Sequence, residues 1–178
     1  DDAGESPENA IGAATFTLAD TADEMVRQGE EITIANRLQE FGPDVAGLQE
    51  LILYGLKGMA AYADHARVLG QEDDAVYAFF HEALDYLASN PADADALVAM
   101  TLRAGEVNLR VMELLDAANT GAYGHPEPTA VRVTPVKGKC ICVSGHDLKD
   151  LEELLKQTEG TGIHVYTHGE MLPCLAYP

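Results

Sequence analysis

The segment Ser144-Gly145-His146-Asp147-Leu148-Lys149-Asp150 places an imidazole between a small-residue turn and the start of a helix, directly after the apolar run Cys140-Ile141-Cys142-Val143. A second segment, Thr167-His168-Gly169-Glu170, carries a carboxylate just after another extended stretch at 163–167. In an open parallel α/β sheet, ligands gather outside the carboxyl ends of the strands, where loops converge and helix N-termini point outward. His146 and Glu170 would follow adjacent parallel strands in equivalent places, so their side chains can converge although they lie 24 positions apart. An imidazole nitrogen and a carboxylate oxygen together suit a borderline metal such as iron or zinc and leave room for other ligands or for substrate. Two ligands do not hold a transition metal by themselves. The same residues also read without a metal, with Asp147 as a helix N-cap, Gly145 and Gly169 serving the turns and His146 as a polar loop residue.

Other chemistry is less well supported. The segment at 144–150 has one glycine where a dinucleotide fingerprint needs three, no Lys-Ser/Thr pair follows, and an aspartate at the helix start would repel phosphate. His65 and His81 fall on expected helices and read as interhelical or surface histidines. Glu152-Glu153 reads as a solvated helix face, and Met59, Phe79 and Phe80 read as core. Cys140 and Cys142 have no base nearby in sequence, which speaks against a nucleophilic role. They are taken to face opposite sides of one strand, and with Cys174 they form no even set, so a disulfide scaffold is not expected.

The elements that would position these residues follow from periodicity. Residues 1–19 mix Gly, Pro, Asn and acidic residues without a period and read as a flexible arm. A helical bundle is expected over 20–119. Its first part, about 20–40, is interrupted by Gly29 and by Ile32-Thr33-Ile34. A long amphipathic helix then starts at Gly42-Pro43 and ends at Gly70, a second runs over 73–88 and stops at Ser89-Asn90-Pro91, and a third runs over 92–118 and is closed by Asn119-Thr120-Gly121. Short turns between long helices predict antiparallel neighbours. Residues 120–138 read as a linker, extended at Val131, Val133 and Val136. Over 139–178 a strand at 139–144, a helix at 148–157 and a strand at 163–167 form one β-α-β unit of a Rossmann-like parallel sheet, left incomplete with open edges. The fold class is therefore α plus α/β, a helical bundle followed by a partial α/β domain.

Composition narrows the partners. The 178 residues hold 11 Lys and Arg against 30 Asp and Glu, a formal charge of −19, so nucleic acid and anionic membrane surfaces are disfavoured. An acidic, lysine-poor surface also fits a high-salt cytoplasm. No run of about 18 apolar residues is present to span a bilayer, and the first 20 residues are acidic and unlike a signal peptide, so a cytoplasmic protein is expected.

The segments 120–129 (TGAYGHPEPT), 138–173 (GKCICVSGHDLKDLEELLKQTEGTGIHVYTHGEMLP) and, more loosely, 48–70 resemble the hybrid-cluster protein family, also called hydroxylamine reductase or the prismane protein. That resemblance implies an iron-sulfur-oxygen hybrid cluster set between domains, a 4Fe-4S cubane near the N-terminus, reduction of hydroxylamine to ammonia or action on nitric oxide, and a redox electron donor. It puts the family's histidine ligand on His146 and its glutamate ligand on Glu170. Two features depart from the family. Residues 1–47 contain no cysteine, with Phe41 near where one would be expected, so the cubane is not supported in this chain. Cys174 and Leu175 stand where the family usually has Ala-His, and Cys174 reads as a free thiol or an adventitious ligand. The remaining ligands would come from the rest of the enzyme or a partner chain. The alternative is a metal-free interaction or scaffold remnant of the family.

Overall fold

Thr21 opens the first helix of a computed structural model that describes residues 15–178, so most of the expected arm at 1–19 lies outside the described residues. The Thr21 hydroxyl accepts from the Glu24 amide and starts α1, Ala22–Glu31. The β-branched Ile32 and Thr33 then break the helix, as their low helix propensity predicts, and α2 runs over Ile34–Val68. Inside α2, Gly42 sits at φ 76° and ψ 167°, non-helical values that glycine adopts without a Cβ clash, and Pro43 restarts the helix behind it. The next helices are α3, Asp74–Ala88, and α4, Ala94–Tyr123. The α4 end differs from expectation. Asn119-Thr120-Gly121 does not close it, because Thr120 Oγ1 bonds back to the Asp116 carbonyl and the Tyr123 hydroxyl donates to Glu152. Gly124, at φ 82°, supplies the left-handed stop.

Strand β1, Lys139–Val143, helix α5, Leu148–Thr158, and strand β2, Ile163–Thr167, complete the order, followed by a 3-10 helix over Gly169–Ala176. The two strands pair in parallel, with Lys139 opposite Ile163 and Val143 opposite Thr167. The fold is α plus α/β, mostly helical with a small two-stranded sheet. Val131, Val133 and Val136 belong to no strand, and Val133 is fully solvated at 92% exposure. Cys140 and Cys142 share one face of β1, because strand side chains repeat every two residues, which corrects the opposite-face expectation. All three cysteines are free thiols, and burial pushes the Cys174 thiol above its ordinary value.

The chain divides into two units. In the first, the described residues up to Tyr54 with His81–Arg103, the core holds Ala46, Ile52, Ala83 and Leu97. Gln49 is buried there with both amide groups satisfied: Oε1 accepts from Arg37, and Nε2 donates to the Pro91 carbonyl at 2.7 Å. Arg103 pairs with Glu82, linking α4 to α3 as expected for neighbours joined by a short turn. In the second, Gly55–Phe80 with Ala104–Pro178, the buried residues include Met59, Ala66, Phe79, Val111, Leu114, Leu151 and Met171.

An ion network fastens α5 within the second unit. Glu152 accepts from Lys156, from Lys149 at 2.9 Å and from the Tyr123 hydroxyl at 2.8 Å, and these bonds lower its carboxyl from 4.5 to about 2. A carboxylate depressed by folding stabilises the fold above its unfolded value and loses that contribution as pH falls through the folded value. Between pH 5 and pH 2 the urea midpoint of the wild-type chain is therefore expected to fall further than that of Glu152→Gln. The gap should narrow in added salt, because the network is partly exposed. Equal pH slopes for the two proteins would contradict this assignment.

Candidate metal-binding corner

The backbone of the strand ends sets the distance between the two candidate residues. Past the last paired residues, the His168 amide donates to the Val143 carbonyl at 2.8 Å, carrying the parallel ladder one step beyond β2. That bond holds the turn 144–147 beside the turn 168–170. Gly145 takes φ 132°, a conformation that residues with a Cβ rarely adopt, and so lets the chain turn sharply between β1 and the cap of α5. Asp147 Oδ1 then accepts from the amides of Lys149 at 2.8 Å and Asp150 at 3.2 Å, the N-cap arrangement expected from sequence.

These constraints bring His146 Nε2 to 3.8 Å from Glu170 Oε2, with the two side chains 50% and 39% exposed. A metal ion bound at ~2.1 Å by each donor spans up to ~4.2 Å between donors, so one ion can touch both. The donor chemistry also fits, with a nitrogen and an anionic oxygen of the borderline class. Both side chains stay reachable from solvent. The hydrogen bond from Ser144, with the nearby imidazoles of His146 and His168, keeps the Glu170 carboxyl below the usual carboxylate range. It is therefore ionised near neutral pH and available as an oxygen donor. Among the described residues, no group of three or more His, Cys, Asp or Glu side chains has a metal-holding arrangement.

Helix α2 supplies a wall that spacing alone did not assign to this corner. The Tyr62 ring meets the His146 ring edge-on at 6.2 Å and the His65 ring at 5.8 Å. His65, expected as an interhelical or surface residue, turns Nε2 toward Asp147 Oδ2 at 3.9 Å, while its buried Nδ1 has no hydrogen-bond partner. The one sequence signal for this wall was the looser resemblance over 48–70, which includes both residues.

The chain matches the Prismane/CO dehydrogenase family over residues 5–178 and belongs to it. The resemblance read from 120–173 thus extends over almost the whole chain. Its curated relatives include proteins named hydroxylamine reductase. That of Syntrophobacter fumaroxidans is 56% identical over 176 residues, covering 99% of this chain and 32% of its own length. That of Rhodospirillum rubrum is 57% identical over 173 residues, 97% of this chain and 32% of its own. That of Thermodesulfovibrio yellowstonii is 60% identical over 163 residues, 92% of this chain and 30% of its own. The chain spans about a third of the length of these relatives. No helix among the described residues is long and apolar enough to cross a membrane.

Proposed function

We propose that this chain contributes His146 and Glu170 as ligands to one iron of an iron-sulfur-oxygen hybrid cluster in a cytoplasmic hydroxylamine reductase. The observation that carries the reading is the 3.8 Å approach of His146 Nε2 to Glu170 Oε2 across the ends of two adjacent parallel strands. Relatives named hydroxylamine reductase support the same activity. When bound, such a cluster supplies electrons and an open iron to a nitrogen-oxygen substrate. Reduction takes two electrons from a redox donor and two protons; the N–O bond of hydroxylamine breaks, and ammonia and water form. The family resemblance implies action on nitric oxide as the alternative reaction.

The chain's own residues have definite parts in this scheme. His146 offers an imidazole nitrogen, and Glu170 offers an anionic oxygen held ready by its lowered pKa. Tyr62 braces the His146 ring from the α2 side. The sulfur ligands come from the rest of the enzyme or from a partner chain. Iron and acid-labile sulfide measured on the anaerobically prepared full-length protein test the reading. Both are expected in the wild type, with iron reduced in His146→Ala. No iron, and no effect of the substitution, would sink the proposal and leave a metal-free interaction or scaffold protein.

A further inference from the structure

Two groups outside the proposed ligand pair converge on a single oxygen of Glu170. Ser144, the first residue after β1, donates its hydroxyl to Glu170 Oε1. His168, the last residue before the 3-10 helix, has Nδ1 at 3.4 Å from the same Oε1. Oε2, the other oxygen, is the one that approaches His146 Nε2. The carboxylate is thereby divided: one oxygen is occupied by the protein, and one is turned toward the imidazole. Without a partner on Oε1, an exposed glutamate rotates among several χ rotamers, few of which aim an oxygen at His146. Carboxylates that ligate metals are themselves usually hydrogen-bonded, and loss of such an outer partner commonly weakens metal affinity by about 10–100-fold.

We infer that Ser144 is a positioning residue of this site, whose hydroxyl holds Glu170 Oε1 so that Oε2 alone is presented as a one-oxygen donor beside His146. This rests on the reading of His146 and Glu170 as a ligand pair, and it adds a residue that touches neither metal nor substrate. His168 backs the same oxygen from the other side. Its place is fixed independently of its side chain, by the hydrogen bond that its backbone amide donates to the Val143 carbonyl.

The test uses cobalt(II) in large excess as the probe, because two protein donors bind it only weakly with water in the remaining positions, and the NMR signals of the 178-residue chain as the readout. Addition of cobalt(II) to the wild type should broaden the His146 ring and Glu170 side-chain signals together. Ser144→Ala should need roughly tenfold or more metal for the same broadening, while Ser144→Thr, which keeps the hydroxyl, should stay near wild type. Unchanged amide shifts in β1 and β2 show that the sheet is intact in each variant. A wild type whose His146 and Glu170 signals ignore even a large excess of the metal, while other exposed histidines respond, overturns the ligand-pair reading itself. A wild type that responds, with Ser144→Ala responding equally, overturns only the positioning role. Loss in both variants on an intact sheet also overturns it, because the hydroxyl would then not be what matters.

Discussion

On the proposed reading, in which the chain works as part of a hydroxylamine reductase and His146 is a metal ligand, His146→Ala is expected to lower kcat/KM for hydroxylamine by on the order of 100-fold or more, because removal of a ligand costs at least as much as removal of an outer partner. Glu170→Gln keeps the shape of the side chain but removes its charge, and should lose a similar factor. The informative protein is the double variant. His146 Nε2 and Glu170 Oε2 lie 3.8 Å apart and are proposed to serve one iron, so their losses should not multiply. Groups that act as one unit are non-additive, and the second substitution should cost little once the first is made. Steady-state kinetics on the four proteins decide this. If the double variant loses the product of the two single factors, the residues act separately and the shared-site reading is wrong.

The second large effect concerns stability. Phe79 in α3 is 2% exposed, while Leu84, five residues on in the same helix, is 49% exposed. Truncation of a buried phenylalanine leaves a cavity that neighbours fill only in part, at a cost of about 3–5 kcal/mol. That is a large share of the ~5–15 kcal/mol typical of a folded domain. Phe79→Ala should therefore lower Tm by roughly 6–20 °C, whereas Leu84→Ala should shift it by only a few degrees. Thermal melts of the two variants, followed by far-ultraviolet circular dichroism, provide the comparison. Equal shifts would mean that the exposed face of α3 contributes as much to the fold as the buried one.

How far the sequence reached depended on how local each cause was. The strand at 163–167 and the start of α5 at Leu148 were readable because their signals are short: an apolar run, an aspartate cap and a paired glycine turn. The meeting of His146 with Glu170 was readable too, since parallel pairing puts equivalent strand ends side by side. The end of α4 was not. Asn119, Thr120 and Gly121 look like a stop when read alone, but the hydroxyl of Tyr123 reaches Glu152, 29 positions away, and that contact lies beyond any local window. Ser144 was missed for a related reason. A serine after a strand looks like an ordinary turn residue until the second strand end delivers Glu170 to it. The cysteine faces were misjudged against a rule available from the start, the two-residue repeat of a strand.

The hydrogen bond from the His168 amide to the Val143 carbonyl has a use beyond geometry. It closes the corner, so the two strand ends cannot part without breaking it. Exchange of that one amide proton with solvent deuterium thus counts openings of the corner itself, separately from unfolding of the helices. The molecule carries its own clock for how often its proposed ligands lose sight of each other. If bound metal ties the two ends together, it should slow that clock.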